Sequence, residues 1–152
     1  MPKKTISRDV SLAEITLRKY EKPQNIKGRD LIRKLCLSLG LLQPGDSRDV
    51  IVDILSVLLK SKKEMDSVEI ERLVIEERKK NKLKMAGIAP SNIKRQLKRL
   101  RDIFLIEKVK NNYRITENST LAEIFDEKIG QFLLNSVVKR VREYVEKVDE
   151  EF

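Results

Sequence analysis

Between Arg78 and Arg101 the chain reads RKKNKLKMAGIAPSNIKRQLKRLR, with ten Lys or Arg and no Asp or Glu. Ammonium and guanidinium groups gathered without countercharges suit contact with phosphate oxygens above other chemistries. Arg can also fork onto O6 and N7 of guanine, and Asn onto N6 and N7 of adenine, so a helix carrying both could read base edges. On that basis Ser91, Asn92, Arg95 and Arg99 are the candidates for DNA base contact. Lys79, Lys80, Lys82, Lys84, Lys94, Lys98 and Arg101 are the candidates for the DNA backbone. The competing possibility for any such run is a basic surface that is only solvated.

Other chemistries find little to build on. The chain has no His, so the usual base near neutral pH is missing. No Gly-rich phosphate loop follows a strand, and no Ser or Cys has an identifiable activating partner. The acids Glu69, Glu71, Glu76 and Glu77 lack the spacing and the imidazoles of a metal site and suit a solvated helix face. Cys36 is the single cysteine, which rules out an intramolecular disulfide and a CxxC zinc site. It falls on an apolar stripe, as a buried thiol would. No catalysis, metal or cofactor is expected, and nothing in the sequence identifies a small-molecule effector.

Charge is unevenly spread. Of 33 bases and 24 acids, residues 1–60 hold 12 and 7, residues 61–117 hold 16 and 9, and residues 118–152 hold 5 and 8. The middle is basic and the C-terminal part acidic, which suggests a division of labour. No apolar run reaches the ~20 residues of a membrane span, and MPKKTISRDV lacks a secretory apolar stretch, so a cytoplasmic protein is expected. The Lys, Glu, Ile and Val usage is like that of heat-adapted proteins.

The elements that must position the basic residues follow from periodicity and punctuation. Ser7 to Tyr20 allows a helix with Val10, Ala13, Leu17 and Tyr20 on one face, although EITLRKY could also be a strand. RDLIRKLCLSLG spaces Ile32, Leu35, Cys36 and Leu39 helically, with Gly40 as its stop. Asp46 or Ser47 could cap SRDVIVDILSVLLK, whose apolar residues cover most of its circumference and mark a central core helix. Asp66 and Glu69 have capping-box spacing ahead of Ile70, Leu73, Val74 and Glu77. Pro90 suits the first turn of the next helix, with Ile93, Leu97, Leu100 and Phe104 on its inner stripe. That stripe turns Ser91, Asn92, Arg95, Lys98 and Arg99 outward, with Lys94 and Arg101 at the flanks.

From Leu105 the period becomes two, giving a hairpin over 105–116. A two-residue Asn111-Asn112 turn would set Val109 opposite Arg114. A three-residue loop from Lys110, with Asn112 left-handed, would set Val109 opposite Tyr113 and is preferred because it keeps the apolar residues together. Lys108, Lys110 and Arg114 are the hairpin's candidates for DNA. Thr120 and Glu123 then open a C-terminal helix that Gly130 interrupts or bends. In it Leu134, Val137, Val141, Tyr144 and Val148 keep 3-4 spacing, so they either form a dimer interface or pack back on their own domain.

The order helix (48–60), helix (67–80), helix (90–103), hairpin (105–116) and the run GIAPSNIKRQLKRLRDIFLIEKVKNNYRIT resemble the winged helix-turn-helix domain of MarR-like and ArsR-like regulators. The resemblance covers residues 47–116. It departs at Phe104, where those families commonly have Gly, and in the longer, more basic KKNKLKMAGIA stretch. It implies a mainly α fold with a small β-hairpin, a winged domain at 47–117, an N-terminal helical extension at 1–46 and a long C-terminal helix at 118–152. It also implies a homodimeric transcriptional regulator on double-stranded DNA, with helix 90–103 in the major groove. The alternative is an interaction or architectural module of a larger nucleoprotein assembly, with a protein or RNA partner.

Overall fold

VIVDILSVLLKS is apolar on nearly every side, and the helix it forms is the one around which the others pack. The computed structural model describes residues 8–152. In order come α1 (Gly28–Ser38), α2 (Val50–Ser61), α3 (Ser67–Lys80), α4 (Pro90–Asp102), β1 (Ile106–Val109) and β2 (Asn112–Ile115). Every residue of α2 from Val50 to Leu58 is buried, and α1, α3, α4 and β2 all touch it. The result is mostly helical with one small antiparallel hairpin. Among the described residues no helix is long and apolar enough to cross a membrane.

Local chemistry sets most helix ends. Asp66 caps α3 by accepting the Glu69 N–H at 2.9 Å, and Pro90 opens α4 as expected. Gly40 ends α1 with φ +71°, and the Leu41 N–H reaches back to the Cys36 carbonyl at 2.9 Å. At the end of α4, Phe104 itself takes the left-handed conformation, φ +66°, and the Leu105 N–H bonds the Leu100 carbonyl at 3.1 Å. Phe104 thus holds a conformation that glycine adopts most readily. Its side chain meets the Phe132 ring edge to face, centroids 5.7 Å apart.

Four expectations are corrected. Residues 14–20 have no regular structure, so neither the helix nor the strand forms there; Ser7 lies outside the described residues. The extended chain lets Arg18 cross the end of α1, where its guanidinium donates to the Leu37 and Leu42 carbonyls at 2.8 and 3.1 Å. The Leu37 oxygen also accepts the Gly40 N–H at 3.2 Å, so both groups close the end of α1. Neither Asp46 nor Ser47 caps α2: Asp49 is the cap residue, and Asp46 accepts the Arg48 N–H in a local turn.

In the hairpin, Val109 faces Asn112 and Lys108 faces Tyr113, so the turn is Lys110-Asn111 and neither expected register holds. Lys110, not Asn112, has positive φ, +59°. Met65 decides this, because it exchanges two backbone hydrogen bonds with Tyr113, at 3.0 and 2.7 Å, and so fixes Tyr113 on the buried face.

Gly130 does not interrupt the C-terminal helix. α5 (Leu121–Ile124), capped by Thr120, runs through a π-helical stretch (Phe125–Leu134) into α6 (Asn135–Glu151). Ile124, Ile129 and Leu133 are the buried residues of this passage. Their five-residue and four-residue steps suit a wider turn than the α-helix supplies.

Candidate nucleic-acid interface

The stripe Ile93, Leu97 and Leu100 is fully buried, which turns Ser91, Lys94, Arg95, Lys98 and Arg101 to solvent. Lys79 and Lys80 at the end of α3, and Lys82 and Lys84 in the following turn, are exposed as well. Among the described residues no carboxylate lies within ion-pair distance of these lysines, or of Lys94, Arg95 and Arg101. Lys98 differs, because Asp102 lies 3.0 Å from it at the far end of the helix. The first turn of α4 holds no acid and its cap residue, Ala89, offers no side-chain acceptor, so its positive dipole end is open.

Two candidate base readers are engaged within the fold, and Arg95 leans on one of them, donating to the Asn92 amide oxygen at 3.4 Å. Asn92 donates to the Gly87 carbonyl at 2.8 Å and accepts from Gln96 at 3.2 Å, which ties the loop before α4 to the helix. Gly87 has φ +79°, and a Cβ there would stand 3.1 Å from the Asn92 amide nitrogen. Arg99 bonds Gln96 at 2.8 Å and leans to the Gly40 carbonyl at 3.4 Å. It borders an open cavity of about 760 Å³ between residues 11–16, the end of α1 and Phe132.

On the hairpin, Lys110 stands at the exposed turn and Lys108 lies over the Tyr113 ring, 5.5 Å from its centre. Arg114 is paired with Glu107 at 2.6 Å and approaches Glu64 at 3.7 Å, so its charge is already matched. Burial would raise the Glu107 carboxyl, but the Glu117 N–H and Arg114 hold it below its usual value.

Arg78, first residue of the basic run, does not belong to this surface. It is 2% exposed and donates to Asp53 at 2.6 Å, to Asp49 at 3.2 Å and to the Lys84 carbonyl at 2.7 Å. Arg29 of α1 forks onto the other side of Asp53 at 3.0 and 3.1 Å and reaches Asp49 at 3.1 Å. Burial opposes the charge on both Asp49 and Arg29, and the opposed charges outweigh it, so Asp49 is held low and Arg29 is pushed up. The cluster joins α1, α2 and α3, and through Lys84 it fixes the path of the basic turn. Two signals could have revealed it: an acid inside VIVDILSVLL, and an Arg continuing the four-residue steps of Ile70 and Val74.

At the other end of the molecule, Leu134 is partly buried and Val137 packs on the core, whereas Val141, Tyr144 and Val148 are exposed. No residue of α6 is buried. Comparison with protein families, with curated proteins and with solved structures finds no match to the chain.

Proposed function

We propose that the chain is a winged helix-turn-helix protein that binds double-stranded DNA as a homodimeric transcriptional regulator, working in the cytoplasm. The observation that carries this is the set of exposed cations that have no carboxylate partner among the described residues: Lys79, Lys80, Lys82 and Lys84 at the end of α3 and in the turn after it, Arg95 on the outer side of α4, and Lys94 and Arg101 at its flanks. A helix of this width enters the major groove, and cations on its flanks and on the preceding turn meet phosphates. The Met65 bridge to Tyr113 supports the winged arrangement, since it ties the hairpin to the segment between α2 and α3.

Within this reading the roles narrow. Ser91 and Arg95 are the base readers, and Lys79, Lys80, Lys82, Lys84, Lys94, Lys98 and Arg101 hold the backbone. Asn92 and Arg99 position α4, and Lys108 and Lys110 serve the wing while Arg114 stays in its ion pair. Tyr113, the aromatic nearest the basic face, is 7% exposed, which favours duplex over single strands that stack on open rings.

Selection of bound sequences from a random duplex pool tests the proposal. A two-fold symmetric motif with half-sites about 34 Å apart is expected. Recovery of no duplex would overturn the proposal, and enrichment without a motif would leave an architectural role in its place.

A further inference from the structure

After Val137 leaves the core, the chain continues as a helix with one side apolar and, among the described residues, nothing packed against it. Val138, Val141, Val145 and Val148 are each 54–55% exposed and Phe152 is fully exposed. With Leu134 these positions step by 4, 3, 4, 3 and 4, which keeps them on one stripe of a gently supercoiled helix. This stripe shares Leu134, Val141 and Val148 with the set expected from sequence. It replaces Val137, which its own domain covers, and Tyr144, which lies at the flank.

The charges along the same helix are polarised. Residues 139–143 carry Lys139, Arg140 and Arg142 against Glu143, which pairs with Arg140 at 3.0 Å, and residues 146–151 carry Glu146, Asp149, Glu150 and Glu151 against Lys147 alone. A second helix laid parallel would set base beside base and acid beside acid. Laid antiparallel, it sets the basic part of each beside the acidic part of the other, within about a Debye length, and also opposes the two helix dipoles.

We infer that this face is the seat of a second copy of the chain, bound antiparallel, with Val138 opposite Val148 of the second copy and Val141 opposite its Val145. The same register puts Phe152 of each chain on Leu134 of the other, so all six stripe positions are covered. The inference deepens the homodimer part of the proposed function and stands apart from DNA binding. It implies that the two basic faces lie at opposite ends of a shared helical rod.

The test uses the full chain without DNA. Sedimentation equilibrium at micromolar concentration is expected to give a dimer, and Val145→Glu is expected to raise its dissociation constant roughly a hundredfold or more by placing two charges in the seam. Val145 is half-exposed in the single chain, so an unchanged helix signal and melting profile of the separated subunits would exclude misfolding. Orientation is read by mild oxidation of Val138→Cys, Val148→Cys and the double variant, with buried Cys36 giving no background. Only the double variant is expected to crosslink between chains, because equivalent positions stand about 15 Å apart along the antiparallel axis.

A monomer would overturn this inference and the homodimer together. Crosslinking of Val138→Cys alone, or a dimer that resists crosslinking in the double variant, would overturn the antiparallel register and leave the homodimer standing. DNA binding by the wild-type chain, measured separately, shows whether the proposed function fails on its own account.

Discussion

Arg78 and Asp53 meet at 2.6 Å where both side chains are almost wholly out of solvent, and the same guanidinium holds the Lys84 carbonyl from its Nε. One buried residue thus joins two core helices to the turn that carries the exposed lysines. Without Arg78 the two carboxylates keep Arg29, while the Lys84 carbonyl loses its donor, so Arg78→Ala is expected to lower stability by about 3 kcal/mol in urea denaturation. Arg78→Lys should recover little, because an ammonium cannot serve two carboxylates and a carbonyl in a fixed fork.

The Asp49 carboxyl gives this cluster a pH dependence. Its folded value lies below the unfolded one, so its contribution is complete above about pH 4 and is lost as pH falls through the folded value. The urea midpoint should therefore decline below pH 4. Asp49→Asn should be less stable at pH 7 and show a shallower acid decline; equal slopes would mean that other carboxylates carry the effect.

Cys36 is expected to behave in the opposite sense. Burial pushes its thiol up to about 12, so the folded chain holds that proton more tightly than the unfolded chain. The associated stability is present below about pH 8.5 and is lost as pH rises toward 12. At pH 8 an aromatic disulfide reagent should react only as fast as the chain opens; prompt stoichiometric reaction would contradict the burial.

Phe104 separates backbone strain from packing. Its left-handed conformation disfavours any residue with a Cβ, and its ring rests on Phe132. Phe104→Ala loses the ring and keeps the strain, whereas Phe104→Gly loses both. The Gly variant should be the more stable of the two by about 1 kcal/mol, measured by thermal or urea unfolding.

What the sequence disclosed divides along the same line between local and distant causes. The start of α3 was legible because Asp66 stands three residues before the Glu69 N–H that it accepts, and the start of α4 because Pro90 marks it. The inner stripe of α4 was legible at Ile93, Leu97 and Leu100, where period settles which side is buried, and not at Phe104, which lies past the helix end in a left-handed turn. The hairpin register was not, since Met65, 48 residues before Tyr113, decides it. The chain before α1 reads as helical by spacing, yet Arg18 binds carbonyls 19 and 24 residues away. In the basic run, charge alone did not separate the buried Arg78 and the occupied Asn92 and Arg99 from Lys94 and Arg95, which face solvent.

Arg95 and Lys84 should differ in kind if the assigned roles hold. Arg95→Ala is expected to cost about 1–3 kcal/mol on a selected site and to relax base preference there, while Lys84→Ala should weaken all duplexes alike. Equal losses on selected and random duplexes for Arg95→Ala would move base reading elsewhere on α4.

The most direct test is the affinity of the full chain for duplex DNA as a function of salt. About five phosphate contacts per protomer should make log affinity fall against log salt with a slope near −4.5 for each protomer engaged, at about 0.9 per phosphate. Replacing Lys84 should reduce that slope by about one unit. A slope near zero, or no measurable binding at 50 mM salt, would contradict the assignment of this surface to DNA.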